Sequence, residues 1–294
     1  MSNESGTVFS FWYKGKLSPY EQLTIRSVLD QGYTHKLLTY NPNINAPQGT
    51  VVIDLSKEIP EDQVLTYESG SPALFSNLLR YQKLPEENWW WFDLDVVLQD
   101  RLPAGKSLYA AWQDEDTVGT AVLFLQEKAL SATLVNNFHA SRAKKSYGET
   151  GPKLFRDTLL EECRADQILP PPIFYPVRWQ EAYRLFDPEE QGLESALEDS
   201  CAVHFWNEMI RRMGISKKLA PPRGSFIAEQ LASYGLYDAF SGRYQPSTFQ
   251  SLISNYKAML ERDQLKRKYH MIRGSKVWKI VRPVRSLLGQ KPIN

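Results

Sequence analysis

The chain has 294 residues, of which 42% are hydrophobic and 23% are charged, and it carries two cysteines and a formal net charge of +1. This composition is typical of a globular protein, and two cysteines exclude a disulfide framework or a four-cysteine zinc site. The polar first residues predict no secretory signal, and the lack of about 18 consecutive apolar residues predicts no membrane-spanning helix.

Charge is distributed unevenly along the sequence. Residues 257–294 carry eleven Lys or Arg against two acidic residues, a net charge of +9, which leaves −8 for the preceding residues. The sequence also changes character near residue 240, after which a long polar helix is predicted. We therefore predict a main domain over residues 1–240 and a basic helical extension over residues 241–294.

The first elements predict an alternation of strands and helices. Thr7–Tyr13 is rich in aromatic and β-branched residues and predicts a buried strand. Ser18-Pro19-Tyr20-Glu21 has the form of a capping box, which predicts a helix that stops at Gly32. His35–Tyr40 predicts a second strand. This order indicates an α/β fold with a mainly parallel sheet.

The later elements continue the same alternation. Further strands are predicted over residues 51–55, 89–97, 107–112, 118–125 and 201–206. Further helices are predicted over residues 71–84, 126–138, 151–164, 179–186, 208–213, from 225 onwards, and over 247–272. The run Trp89–Val97 is apolar on both faces as far as two aspartates, as expected of a central strand that ends at a polar edge of the sheet.

Asp93 and Asp95 follow this apolar run. In a strand they would share one face about 6.6 Å apart, with Leu94 pointing into the core. Ligands of open α/β sheets lie beyond the carboxyl ends of the strands, and carboxylates suit Mg²⁺ or Mn²⁺, which bind phosphate oxygens. We interpret the pair as a metal or phosphate site; the alternative is a capping or salt-bridge role. His204 lies in an apolar strand, where a lone histidine is more often a core residue.

Five short blocks of the sequence resemble, in order and spacing, the glycosyltransferases of family 32. This family includes α-1,4-galactosyltransferases and bacterial capsular or lipopolysaccharide sugar transferases. The blocks are residues 11–21, Phe75–Arg80, Trp89–Val97, Thr150–Phe155 and Ala202–Asn207. The resemblance implies a GT-A-type fold, with a Rossmann-like, mainly parallel sheet flanked by helices. It also implies metal-dependent transfer of a hexose from a nucleotide sugar, UDP-sugar first, to a carbohydrate or lipid-linked acceptor in surface polysaccharide or glycolipid synthesis.

The resemblance implies a metal site for Mn²⁺ or Mg²⁺. Asp95 is similar to the direct metal ligand of the family. Asp93 resembles the aspartate that contacts the donor ribose and the metal shell. His204 is similar to the late histidine that completes the binding of metal and diphosphate.

The resemblance also implies a donor-binding set. Phe11, Trp12 and Tyr13 resemble the strand end against which the nucleotide base lies. Asn77 and Arg80 fall on the Asp-x-x-Arg pair that faces the donor sugar, with Asn77 in place of the family's aspartate. A second departure is that Glu87-Asn88 replaces the usual Gly-Gly before the central strand.

The loop Trp112–Asp116 carries the best remaining acidic cluster. Within it Asp114, together with Gln113, is a candidate catalytic residue that binds the acceptor or stabilises positive charge on the sugar; the alternative is a solvated acidic loop. The family retains anomeric configuration, which implies an α-linked product formed either by front-face attack or through a covalent intermediate.

The basic segment 275–288 combines an apolar stripe with Lys and Arg and predicts contact with an anionic membrane surface. Packing against the body or another subunit is the alternative, and a nucleic-acid partner is not expected. We therefore expect a cytoplasmic protein that is peripheral on the inner face of the membrane. Two competing functions stay open: a haloacid-dehalogenase-like phosphatase with Asp93 as nucleophile, and a non-catalytic nucleotide-sugar-binding protein.

Overall fold

The structure, a computed structural model, describes residues 6–141 and 149–275. The strands are β1 Thr7–Trp12, β2 Thr34–Thr39, β3 Val51–Asp54, β4 Trp89–Phe92, β5 Val96–Leu98, β6 Leu108–Tyr109, β7 Val122–Leu125, β8 Ala202–His204, β9 Leu219–Ala220 and β10 Gly242–Arg243. Within these residues the main sheet has the strand order β3-β2-β1-β4-β7-β6. Its first four strands are parallel, whereas β7 and β6 run antiparallel to their neighbours.

Two short ribbons lie outside the main sheet. Strands β5 and β8 pair antiparallel, and β9 pairs with β10 in parallel. The α-helices are α1 Pro19–Asp30, α2 Ala73–Glu87, α3 Lys128–Ser141, α4 Leu154–Glu161, α5 Leu193–Leu197, α6 Asn207–Arg212, α7 Phe226–Ser233 and α8 Pro246–Gly274. A 3-10 helix covers Trp179–Phe186.

Strand β4 explains why the sheet is covered on both faces. Successive side chains of a strand point to opposite sides. Trp89 and Trp91 therefore belong to the buried cluster that contains side chains of α2, α3 and α4, whereas Trp90 and Phe92 belong to the cluster that contains side chains of α1, α7 and α8. All four side chains are buried. The run Trp89–Phe92 therefore forms the centre of the molecule, and its carboxyl end carries the first of the two aspartates.

Helix α1 begins as the sequence predicts. Glu21 completes the capping box with Ser18, accepting from both its backbone N–H and its hydroxyl. The same carboxylate is buried and forms an ion pair with Lys217. The cap therefore also ties the start of α1 to the segment that follows α6.

Most predicted elements are confirmed within a few residues, although several are shorter than predicted: the strand predicted over 118–125 begins at Val122, and the one over 107–112 covers only Leu108–Tyr109. The strand predicted over residues 89–97 ends at Phe92, and Asp93 begins a turn rather than extending the strand. The strand predicted over 201–206 is shorter because Trp206 has a left-handed backbone conformation, with φ of 59°. The helix predicted over 151–164 starts only at Leu154, after a wide turn over Glu149–Lys153.

Helix α8 belongs to the body at its start and to the surface at its end. Phe249, Ile253 and Tyr256 are buried in the same core as β4 and α1. Beyond them the helix is largely exposed, including Leu265 and Met271. The division at residue 240 stays a prediction. Among the described residues, no helix is long and apolar enough to span a membrane.

Candidate active site

The two aspartates lie in the tight turn between β4 and β5. Between them, Leu94 is buried with Leu17, Ile25 and Leu37, as predicted. The strand spacing expected for the two carboxylates is wrong, however, because neither aspartate lies in a strand. The buried Leu94 anchors the turn, and the two carboxylates take different partners.

Asp93 pairs with Arg80 of helix α2. Its Oδ1 accepts a hydrogen bond from the Arg80 guanidinium at 3.0 Å and from the Trp91 indole N–H at 2.7 Å. The guanidinium is buried, lies 4.6 Å from the centroid of the Trp91 ring, and also donates to the carbonyl of Thr120. Burial raises the pKa of Asp93, Arg80 lowers it, and the neighbouring Asp95 charge raises it again, leaving it above its usual value.

Asp95 pairs with His204, which is more than 100 residues later in the chain. Asp95 Oδ2 lies 3.0 Å from His204 Nε2 and accepts the backbone N–H of Asn207 at 2.7 Å. The antiparallel ribbon sets this contact, since Val96 pairs with His204 in its register and the N–H of Phe205 donates to the Asp95 carbonyl at 2.9 Å. Burial raises the pKa of Asp95, but the charge and hydrogen bond of His204, together with the Asn207 N–H and the Lys217 charge, hold the pKa below its usual value.

Trp206 and Tyr175 hold the His204 ring. The Trp206 ring packs on the imidazole with centroids 4.0 Å apart, and its indole N–H donates to the Val177 carbonyl at 2.9 Å. The Tyr175 ring lies edge-on to the imidazole at 5.8 Å, and its hydroxyl accepts the backbone N–H groups of Ala121 and Val122.

Gly119 leaves the space that Tyr175 fills, because a Cβ there would lie within 2.4 Å of three Tyr175 ring and hydroxyl atoms. Sequence reasoning gave Tyr175 and Trp206 no role. The position of Trp206 immediately beyond the His204 strand was the one available signal.

Two cavities meet at the aspartates. The first, of about 280 Å³, is lined by residues from α2, the β7 segment and α6: Tyr67, Ala73, Asn77, Arg80, Asp93, Asp95, Gln113, Thr120, Ala121, Pro152, Trp179, His204, Trp206, Asn207, Glu208, Met209 and Arg212. The second, of about 550 Å³, shares both aspartates and Arg80, and adds the end of β1: Phe11, Trp12, Tyr13, Ser71, Pro72, Ser76, Leu94, Ile210, Arg211, Ile215 and Lys217.

The structure brings together nearly all the residues singled out in the sequence. The donor-binding and metal candidates line one or both cavities, and Gln113 lines the first. Asp114 is the exception: it lines a separate depression beside Arg178, and its Oδ1 accepts the backbone N–H of Asp116. Its proposed catalytic role stays a prediction.

The carboxylates and the imidazole do not form a ready-made metal cluster. In the described part of the chain, no group of three or more His, Cys, Asp or Glu is arranged to hold a metal ion. Asp93 and Asp95 each have one oxygen engaged, by Arg80 and by His204. The His204 Nδ1 is buried and has no hydrogen-bond partner among the described residues. One carboxylate–imidazole pair is therefore close, and the second carboxylate stands apart.

Residues 124–221, about a third of the chain, match a family model described as the alpha 1,4-glycosyltransferase conserved region. The chain is a family 32-like glycosyltransferase. The matched region contains His204 and Trp206 but not the two aspartates. No curated protein sequence matches the glycosyltransferase significantly.

Two solved structures align with the chain at low similarity. Galactosyltransferase LgtC, in complex with donor and acceptor sugar analogs, aligns with 84% of this chain and 99% of its own, at 10% identity and a TM-score of 0.44. The apo form of the glycosyltransferase GlyE of Streptococcus pneumoniae TIGR4 aligns with 87% of this chain and 64% of its own, at 13% identity and a TM-score of 0.45.

The predicted fold class is confirmed as an α/β architecture, since the glycosyltransferase has a mixed, mainly parallel sheet flanked by helices. The phosphatase alternative has no support. Asp93 would have to act as a nucleophile, yet its Oδ1 accepts two hydrogen bonds, one of them from a buried guanidinium.

The Arg80–Asp93 pair gives a stability prediction. We expect Arg80→Gln to lower the free energy of unfolding by about 2–3 kcal/mol, because it leaves the Asp93 carboxylate without its cationic partner. Since 32% of the Asp93 side chain is exposed, the loss is smaller than for a fully buried pair. Arg243→Gln removes an exposed pair and should cost under about 0.5 kcal/mol. Urea unfolding measures both, and Asp93→Asn in the Arg80→Gln background should recover part of the loss. Equal losses in the two single variants would contradict the prediction.

Proposed function

We propose that this glycosyltransferase moves a hexose from a nucleotide sugar, UDP-sugar first, to a carbohydrate or lipid-linked acceptor, with the help of Mn²⁺ or Mg²⁺. The observation that carries the proposal is the contact between Asp95 and His204 at the boundary of two cavities. A nucleotide sugar has a base at one end, a sugar at the other and a diphosphate between them. Two cavities that meet at the two aspartates match that order, because one cavity can hold the base, the other the sugar, and the diphosphate can lie where they meet.

The aromatic end of β1 supports placing the base in the second cavity. Phe11 packs edge-on against Phe75 at 5.4 Å, and Tyr13 packs against Tyr40 at 5.9 Å, so both rings are held in place. Flat aromatic side chains suit the faces of a nucleotide base. Trp12 lines the same cavity. The diphosphate then lies beside the aspartates, and the sugar extends into the first cavity.

The donor types at the boundary suit a divalent cation. The Asp95 carboxylate and the His204 imidazole lie 3.0 Å apart, and Mn²⁺ and Mg²⁺ accept carboxylate oxygens, with imidazole also suited to Mn²⁺. Asp95 and His204 would hold the ion, and Asp93 would contribute its second carboxylate oxygen, Oδ2. A bound ion would neutralise the charge that develops on the departing diphosphate.

Residues of the first cavity would orient the donor sugar. The Asn77 amide donates to the Thr150 hydroxyl at 3.2 Å, and a Cβ at Gly151 would press against the Asn77 amide group at 3.0 Å. Asn77 is therefore held rigidly, and it offers a neutral amide where the family has a carboxylate. Arg80, locked between Asp93 and the Thr120 carbonyl, keeps a fixed charge at the sugar end of the site.

Gln113 is the better placed of the two proposed catalytic residues. Gln113 lines the cavity in which the sugar would lie, which would bring it near the reacting carbon or the acceptor. Asp114 lies outside that cavity and would need the 113–117 turn to rearrange before it could act. The product is expected to keep the anomeric configuration of the donor. Front-face attack and a covalent intermediate both stay open.

We further propose that the basic extension contacts an anionic membrane surface. The protein would then be a cytoplasmic enzyme of polysaccharide or lipopolysaccharide synthesis that is peripheral on the membrane. Nearly all of the segment 275–288 lies outside the described residues. The end of α8 supports the idea within them, because Leu265, Met271 and Ile272 are exposed beside Lys266, Arg267 and Lys268. Apolar and basic side chains on one exposed helix suit a lipid headgroup region.

The metal proposal is tested by thermal unfolding with nucleotides. In the presence of Mn²⁺, UDP at about 100 times its Kd should add ~2.7 kcal/mol and raise the Tm by about 5 °C. Without Mn²⁺ the rise should largely disappear. In Asp95→Asn the Mn²⁺-dependent part should be lost, because the carboxamide is a much poorer ligand.

Asp166→Asn is the matched control, since it removes an exposed aspartate that lines neither cavity. It should behave like the wild type. A Mn²⁺-dependent rise of the same size in Asp95→Asn would contradict the metal assignment. If GDP gives the rise and UDP does not, the metal assignment stands and the choice of base is wrong.

The membrane proposal is tested by co-sedimentation with vesicles. The full chain should bind phosphatidylcholine vesicles that contain about a third phosphatidylserine and not pure phosphatidylcholine vesicles. Replacing Lys266, Arg267 and Lys268 with Gln should weaken binding at least about tenfold, because each basic residue contributes ~1 kcal/mol near such a surface. The same change at exposed Lys57, Lys106 and Lys128 should have little effect. Equal loss in both triple variants would indicate only a net-charge effect.

A further inference from the structure

We propose that Trp179, Trp206, Met209 and Arg212 form an acceptor subsite that takes a hexose carrying an anionic group. This inference rests on the proposed function, because it assumes that the donor sugar enters the first cavity beside Asp93. It assigns the acceptor to a different part of the chain from the Trp112–Asp116 loop.

The first cavity has two kinds of lining. Next to the aspartates, Asn77, Arg80 and Thr120 supply polar and charged groups from α2 and the β7 segment. The 3-10 helix and the 206–212 segment supply two indoles, a thioether and a guanidinium. A hexose has polar hydroxyl edges and an apolar face of C–H groups. The polar lining suits the donor sugar held by its hydroxyls, and the aromatic lining suits a second ring stacked by its face.

The aromatic surface is held rigid before any sugar binds. Trp206 is fixed by its left-handed backbone, by its indole bond to the Val177 carbonyl and by its stacking on His204. Behind Met209 and Trp179 stands Tyr256 of α8, whose hydroxyl lies 3.2 Å from the Met209 sulfur and 3.4 Å from the Trp179 carbonyl. A prearranged surface lowers the entropy cost of binding a weakly held sugar.

The charge of the proposed ligand follows from Arg212. Glu208 is shared by two guanidiniums: it binds Arg211 at 2.6 Å and Arg212 at 3.1 Å. In the described chain Arg212 donates to Glu208 through Nε alone, and 44% of its side chain is exposed. Its two terminal amino groups therefore remain for a carboxylate or a phosphate, which a guanidinium binds bidentately.

Arg212 lines the first cavity and not the second. The second cavity, in which the nucleotide would lie, has its own cations in Arg211 and Lys217. Arg212 is thus the cation placed beyond the donor sugar, on the side from which an acceptor would approach.

The test is ligand-detected NMR on the full-length protein with UDP and Mn²⁺ present. The probes are methyl β-glucoside, methyl β-glucuronide and glucose 6-phosphate, which share a ring and differ in charge. The wild-type protein should bind at least one anionic probe about tenfold more tightly than the neutral one. Comparison of the two anionic probes shows whether the subsite prefers a carboxylate or a phosphate. Arg212→Gln should reduce anionic binding to the neutral level, and Trp179→Leu, which keeps apolar volume, should weaken all three.

Arg178→Gln is the control, since Arg178 is exposed, adjoins Trp179 and lines neither cavity. It should bind all probes as wild type does. The UDP–Mn²⁺ thermal shift should be unchanged in all three variants. If UDP and Mn²⁺ do not raise the Tm of the wild-type protein, the proposed function itself is wrong. If the nucleotide shift is normal, three results would overturn the acceptor subsite alone. These are that no probe binds, that the anionic probes are not preferred, or that Arg212→Gln binds them as wild type does.

Discussion

The site depends on one contact, between the carboxylate of Asp95 and the imidazole of His204. A charged carboxylate that is buried needs a partner, and His204 together with the N–H of Asn207 supplies it. The antiparallel ribbon fixes the two residues side by side, and Trp206 and Tyr175 prevent the imidazole from turning away. Because these partners come from residues 93–98 and 173–207, the contact forms only when these two distant segments of the chain come together.

The second carboxylate is stabilised separately. Asp93 has its own cation in Arg80, so the two negative charges of the turn do not compete for one partner. Both aspartates and Arg80 line both cavities, and the cavities differ in their other residues: Asn77 and His204 line the first, and the end of β1 lines the second. The charged groups of the turn therefore lie where the two cavities meet.

Local patterns in the sequence predicted the local parts of this arrangement. The apolar run before Asp93 predicted a central strand, and the capping box predicted the start of α1, because both are set by neighbouring residues. The resemblance to family 32 added His204, Asn77 and Arg80. What the sequence could not indicate was contact across long separations. The pairing of β5 with β8 and the place of Tyr175 against Gly119 depend on side chains that no periodicity links. The turn at Asp93 was missed because a buried Leu94 satisfies a strand and a turn equally well.

The measurement that tests the account most directly is the anomalous diffraction of Mn²⁺ in crystals grown with UDP. The account predicts one strong Mn²⁺ peak within about 2.0–2.3 Å of both the Asp95 carboxylate and a nitrogen of His204, with a diphosphate oxygen also bound. A nucleotide bound with no Mn²⁺ peak there, or with the ion held elsewhere while Asp95 and His204 stay hydrogen-bonded to each other, would contradict it.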